Sequence, residues 1–196
     1  MSAISERRER ERAHRHQLII TAARELAEAE GWEAVTTRRL AERVEYSQPV
    51  LYSHFDGKNA IVSAVAVDGF GELGGHLRRA RLAAGPGEGL RAVCRAYLEF
   101  AAERPALYQA MFVLPTDLKF ASAETPPPLR TAFWEFVSCL PEDNERRELF
   151  AEVVWSALHG MAVLSDTGRI PPEGQEERLD LLVTRITAPL TGPATP

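Results

Sequence analysis

Residues Thr36 to Lys58, TTRRLAERVEYSQPVLYSHFDGK, gather side chains suited to reading flat polar edges: an arginine fork, a glutamine amide, several hydroxyls, an imidazole and a proline ring. Leu40, Ala41 and Val44 recur at the three- and four-residue intervals that let a helix bury one face. Thr36 or Thr37 can cap this helix, because each offers a side-chain oxygen to an otherwise unpaired backbone N–H. Glu45, Tyr46 and Ser47 then break the pattern. Ser47 suits the N-cap of a second helix starting near Gln48, and Pro49 suits its first turn, where a missing N–H costs no hydrogen bond. Leu51 and Phe55, four apart, anchor that helix on the first and leave Gln48, Pro49, Val50, Tyr52, Ser53 and His54 on or near the outer side. Six outward groups on a helix held by a tight turn form a unit able to read a DNA groove. An ordinary surface helix followed by a capped turn is the blander reading, and the combined string is far more specific than that.

From about Gln17 to Val65 the residues carry a family resemblance. Ile20, Ala22, Ala23, Leu26, Gly31, Thr36, Leu40, Ala41, Ser47, Leu51, Tyr52, His54, Phe55, Lys58 and Ile61 together resemble the DNA-binding domain of the TetR family of bacterial transcriptional repressors. The resemblance implies phosphate or sugar contacts from Thr37, Val50, Tyr52, His54 and Lys58, and base-edge or thymine-methyl contacts from Arg38, Gln48, Pro49 and Tyr52. The chemistry agrees: an arginine fork matches guanine O6 and N7, a glutamine amide matches adenine N6 and N7, and a proline ring packs on a thymine methyl. Lys58 adds its charge to the dipole at the start of a following helix. The chain departs from the family in the turn, with Glu45-Tyr46 where glycine and an aliphatic residue are usual. A non-glycine residue adopts a left-handed backbone there at a cost of roughly 1–2 kcal/mol. Either Glu45 is strained or the turn differs.

Ahead of this domain, SERRERERAHRHQ alternates charge, with Arg7, Arg8, Arg10, Arg12 and Arg15 partly offset by Glu6, Glu9 and Glu11. Two readings stay open: an extension of the first helix that follows DNA, or a solvated flexible tail. The formal charge of −5 is unevenly spread. Residues 1–60 hold 10 Lys/Arg and 10 Asp/Glu, whereas residues 61–196 hold 13 and 18, so the acidity belongs to the body. DNA binding then depends on the local placement of a few cations and on dimerisation.

The elements behind the reading unit are expected to be helical. A long helix from Asn59 to Arg81 is followed by helices over Glu88–Glu103, Ala106–Leu114, Leu129–Leu140, Arg146–Asp166 and Pro172–Leu190. Gly71, Gly74 and Gly75 make a kink in the long helix reasonable. Pro115 to Pro128 reads as an irregular connector, with a lid over a ligand entrance as the other reading. The expected fold is all-α with about nine helices: a flexible charged arm (1–16), a three-helix helix-turn-helix domain (17–62), a ligand-binding and dimerisation domain (63–190) and a disordered tail (191–196).

PALYQAMF and WSALHG resemble, more weakly, a C-terminal domain of one TetR subgroup. The resemblance implies that the last two helices pair with those of a second subunit. The interface is then assigned to Val153, Ala157, Gly160, Met161, Leu164, Leu179, Leu182, Val183 and Ile186. Two recognition helices one DNA turn apart, roughly 34 Å, suit a palindromic site. Tyr97, Phe100, Tyr108, Met111, Phe112, Phe133, Phe136, Trp155 and His159 can enclose an apolar or aromatic small molecule, and they can equally form plain core.

The expected function is a homodimeric repressor released from double-stranded palindromic DNA by a small effector; control by a protein partner or a corepressor is the alternative. No cofactor and no metal are implied: Cys94 and Cys139 make neither a CxxC nor a cysteine-histidine cluster, and read as reduced packing residues or a redox pair. For an enzyme, His159, Asp166 and the two cysteines are the obvious chemical candidates, and no phosphate loop or nucleophile elbow accompanies them. No signal segment and no bilayer-length apolar run are legible, so a cytoplasmic location without membrane contact is expected.

Overall fold

Apolar residues at three- and four-residue spacing, set among arginine, glutamate, alanine and leucine, put most of the chain into helix. The computed structural model describes residues 3–191. The helices are α1 (Ala3–Glu30), α2 (Thr37–Arg43), α3 (Gln48–Tyr52), α4 (Lys58–Ala83), α5 (Gly89–Glu103), α6 (Pro105–Phe112), α7 (Pro127–Val137), α8 (Arg147–Asp166) and α9 (Gln175–Thr191), with a 3-10 turn at Trp32–Ala34. Among the described residues there is no strand. The tail expected at 191–196 lies, apart from its first residue, outside them.

The chain forms two compact units, residues 1–69 with 104–124 and residues 70–103 with 125–196. Sequence boundaries at 62 and 63 miss this interleaving, because α6 returns to the first unit through contacts distant in sequence. Glu28 accepts from the backbone N–H groups of Ala106 (3.2 Å) and Leu107 (3.0 Å), which are otherwise unpaired at the start of α6. The Trp32 indole donates to the Ala106 carbonyl at 2.7 Å. α4 contributes its residues up to Gly69 here, and a Cβ at Gly69 would stand 2.7 Å from Leu107 Cδ1 and 2.8 Å from Met111 Sδ, so any larger residue would force these buried side chains of α6 to shift.

Residues 3–16, expected as a flexible arm, continue α1 as helix. Strong helix formers and an Arg7–Glu11 ion pair of 2.8 Å, one turn apart, favour that outcome.

In the second unit, α5, α7, α8 and α9 pack around Tyr97, Phe100, Phe136, Val154, Leu158 and Leu179. Arg81 pairs at 2.8 Å with Glu135, which is only 7% exposed. Arg95 holds Glu176 through two bonds of 2.6 and 3.1 Å, and Arg91 pairs with Asp180, so α5 and α9 are clamped by charge. α4 runs unbroken through Gly71, Gly74 and Gly75. Gly74 marks a close approach rather than a bend, since a Cβ there would just touch the Ala132 backbone nitrogen of α7 at 3.4 Å. Pro127 and Pro128, assigned to the connector, occupy the first turn of α7, where no N–H acceptor is lost.

The turn between α2 and α3 is closed by bonds from Tyr46 N–H to the Ala41 carbonyl (2.9 Å) and from Glu45 N–H to the Glu42 carbonyl (3.4 Å). This pattern needs a left-handed residue after the helix end, and Glu45 supplies it at φ +57. Glu45→Gly should therefore raise unfolding stability by about 0.5–1 kcal/mol, the relieved backbone cost less the extra chain entropy of glycine. Chemical denaturation of both proteins measures it, and a lower midpoint for the glycine variant would show an unstrained turn.

Candidate nucleic-acid interface

Thr36 caps α2 by accepting from the Arg39 N–H at 3.2 Å. Ser47 stands at the N-cap of α3 without a side-chain capping bond, and Pro49 occupies the first turn. Leu51 and Phe55 are buried as their spacing requires. Gln48, Pro49 and Ser53 are exposed, Tyr52 is 53% exposed, and Val50 and His54 are half-buried. The Thr37 hydroxyl lies 3.5 Å from that of Tyr52, so two expected backbone-contacting groups from different helices meet on one surface.

Three neighbouring arginines have divided roles. Arg39 is tied to Glu30 (2.7 Å) and Arg43 to Glu25 (3.0 Å), fastening α2 to α1. Arg38 points outward and, among the described residues, pairs with Glu42 one turn away at 3.0 Å. An exposed pair of this kind is worth little and is easily exchanged for a base edge. Lys58 starts α4 with its ammonium donating to the Trp32 carbonyl at 2.6 Å, which fixes the side chain and leaves two of its three donors.

Sequence reasoning missed one neighbour of α3. His16 of α1 stacks on Phe55, with ring centroids 4.3 Å apart, and lies 6.2 Å from His54. His16 and Ile20, four apart, share a helix face, but spacing alone does not say what lies across from it. Burial, with the adjacent Arg12 charge, holds the His16 imidazole below its ordinary 6.5; burial, then His16, Arg12 and Arg15, does the same to His54.

The expected effector-binding residues divide between the units. Tyr108, Met111 and Phe112 belong to the first, with Tyr108 and Phe112 rings 4.8 Å apart. In the second, the Trp155 indole donates to the Tyr97 hydroxyl at 3.2 Å, and Phe133 and Phe136 flank this pair edge-on. Phe100 is buried and His159 half-buried, with burial lowering the His159 pKa. A cleft of about 330 Å3 in the second unit is lined instead by His76, Arg79, Ala80, Ala92, Arg95, Ala96 and Glu99. Burial keeps the Cys94 thiol protonated and pushes Cys139 up to about 12; both are free thiols.

Of the expected interface residues, Leu179 is fully buried within its own chain, under the α5–α9 clamp, and is thereby removed from any outer face. Val153 and Leu164 are exposed, and Ala157, Gly160, Met161, Leu182, Val183 and Ile186 are half-buried. Leu149 and Leu181, not singled out by spacing, are also exposed.

A capped helix-turn-helix with exposed polar groups along its second helix is the architecture of a DNA-binding regulator. Residues 19–65 match the family model described as bacterial regulatory proteins, tetR family, and residues 90–186 match the Tetracyclin repressor-like, C-terminal domain. The chain belongs to the TetR family of transcriptional regulators. It is similar to the HTH-type transcriptional regulator YobS of Bacillus subtilis (strain 168), at 30% identity over 94 residues, 48% of this chain and 49% of that protein. The chain thus spans about half the length of that relative. It is 27% identical over 176 residues to an HTH-type regulator of Mycobacterium tuberculosis, covering 87% of this chain and 78% of the other. With the tetracycline repressor protein class C of Escherichia coli it shares 48% over 50 residues, 26% and 23% of the two chains.

Among solved structures, a protein of unknown function from Rhodococcus sp. RHA1 has a TM-score of 0.71 at 21% identity, covering 89% and 94% of the chains. A TetR variant from Acinetobacter baumannii AYE in complex with minocycline has a TM-score of 0.63 at 21% identity, covering 89% and 97%. Those likenesses concern the fold. Among the described residues no helix is long and apolar enough to cross a membrane.

Arg38→Ala should cost roughly 1–3 kcal/mol of discrimination at one guanine per half-site, read by titrating duplexes substituted at each position. Equal weakening on every duplex would refute base reading. Stability should also depend on pH. The folded chain disfavours protonation of His16, His54 and His159, so their contribution is complete above about 6.5 and is lost as pH falls through the lowered folded values. Thermal midpoints taken between pH 7.5 and 5, above the main carboxylate range, should fall, and His16→Phe should flatten that fall.

Proposed function

We propose that the chain acts as a homodimeric repressor, binding a palindromic operator through α3 and released by a small apolar or aromatic effector. The observation that carries the reading is the outward set Arg38, Gln48, Pro49 and Tyr52 on a helix pair held by Thr36, Leu51 and Phe55. Thr36, Thr37, Val50, His54 and Lys58 position the unit on phosphate or sugar, and Ser47 sets the start of α3. Base contacts then specify sequence while backbone contacts fix register.

Dimerisation through α8 and α9 is supported by their exposed apolar residues Val153, Leu164 and Leu181, set among half-buried Ala157, Gly160 and Met161. A second copy is the partner that makes two recognition helices available to one palindrome. The aromatic group of Tyr97, Phe133, Phe136, Trp155 and His159 supports an effector with an apolar body, since its rings gather edge-on around the Trp155–Tyr97 pair. The minocycline-bound neighbour supports the effector class as well. Effector binds more tightly to the conformation unable to seat both recognition helices, and operator is released.

Selection of duplexes from a random pool by the purified chain should enrich a palindrome, and sedimentation should give a dimer that Val153→Glu with Leu181→Glu converts to monomer. An enriched single half-site, or a dimer untouched by both substitutions, would overturn the homodimer reading.

A further inference from the structure

α1 extends far beyond the core that it helps to form. Ile19, Ile20, Ala23, Leu26 and Ala27 bury its inner face. Carried back at four-residue steps, the same face becomes His16, Arg12 and Arg8, with Arg15 beside it, seven residues after Arg8. The stripe that elsewhere meets protein core is therefore cationic, and Arg8, Arg12 and Arg15 are exposed. Among the described residues these three form no ion pair; Glu11, which pairs with Arg7 at 2.8 Å, borders the stripe and its carboxylate also feels the Arg15 and Arg8 charges. Glu9 borders the stripe and Arg10 lies on the opposite side.

The position of this stripe is fixed. His16 stacks on Phe55, immediately beyond the recognition helix, and the Arg12 and Arg15 charges are close enough to act on the His54 ring. His54 itself ends the segment that carries Gln48, Pro49 and Tyr52. A helix face with three exposed guanidinium groups bordered by Glu9 and Glu11, leaving the domain at the end of its recognition helix, keeps a net positive charge complementary to the polyanion that such a helix approaches.

We propose that residues 5–16 of α1 form a second DNA-binding element, in which Arg8, Arg12 and Arg15 hold the phosphate backbone flanking the half-site read by α3. The element adds affinity and footprint without adding sequence information, and His16 on Phe55 is its positioning residue. It rests on the operator-binding reading above.

The test uses the full chain and a selected duplex with long flanks. Affinity is followed across a salt series, and hydroxyl-radical cleavage gives the footprint. Joint substitution of Arg8, Arg12 and Arg15 by Ala should lower the salt slope by about 0.9 for each phosphate released, about 2.7 per arm, shorten the footprint at both ends and leave base preference unchanged. Arg10→Ala should leave slope and footprint unchanged. The substituted residues are exposed on a helix, so folding is retained, and a circular dichroism spectrum matching wild type verifies it. An unchanged slope and footprint in the triple variant, or an equal loss from Arg10→Ala, would overturn the element while leaving the regulator reading intact. Failure of the wild-type chain to select any duplex would overturn that reading, and this one with it.

Discussion

A helix of five residues has too few internal hydrogen bonds to offset its own nucleation cost. α3 therefore exists only as far as its surroundings hold it, and much of the first unit is arranged for that purpose. Leu51 and Phe55 are its buried footings, Pro49 fixes the first turn, and the bonds closing at Ala41 and Glu42 set its angle to α2. α2 is in turn fastened to α1 by Arg39–Glu30 and Arg43–Glu25. α1 is closed against α6 through Glu28 and Trp32, so the chain of support runs from a displayed glutamine to a helix more than fifty residues away.

Function sets the limits of this support. Glu45 takes a left-handed backbone that glycine would adopt more cheaply, and its exposed carboxylate adds negative charge to the turn before α3. Arg38 is preoccupied by Glu42, yet only through an exposed pair whose exchange costs little. Under the operator-binding reading proposed above, both features lower affinity while the helix pair keeps its geometry. A regulator that must leave its site needs binding that a few kcal/mol can reverse.

The helix-turn-helix was legible because its determinants are local: a capping threonine, a proline in a first turn, apolar residues four apart. The strain at Glu45 was legible for the same reason. What lay beyond the sequence was the identity of each covering surface. Leu179, Leu182, Val183 and Ile186 share one periodic pattern, yet Leu179 is sealed in its own chain while the others are half-buried and nearby Leu181 is exposed. Periodicity separates inside from outside; it does not say which element lies across. The same limit applies to the aromatic residues, since spacing along a helix does not show that Tyr108, Met111 and Phe112 pack in a different unit from Tyr97 and Trp155. The run of prolines before α7 misled differently, because proline ends one helix and begins the next with equal ease.

Charge placement resolves an apparent conflict in composition. A chain with formal charge −5, whose first 60 residues are neutral, has no bulk attraction for DNA. It sorts its charges instead. Glutamates 25, 28 and 30 are spent inside the first unit, on Arg43, the α6 backbone and Arg39, and Glu11 is spent on Arg7. The acidity of the second unit is partly absorbed by Arg81, Arg91 and Arg95. Because these carboxylates are paired with arginines or backbone N–H groups, the guanidinium groups near α3 carry more weight in the local potential than the net charge suggests. Screening confines such potentials to about 10 Å, so a phosphate backbone at that surface responds to the nearest charges rather than to the sum over the chain.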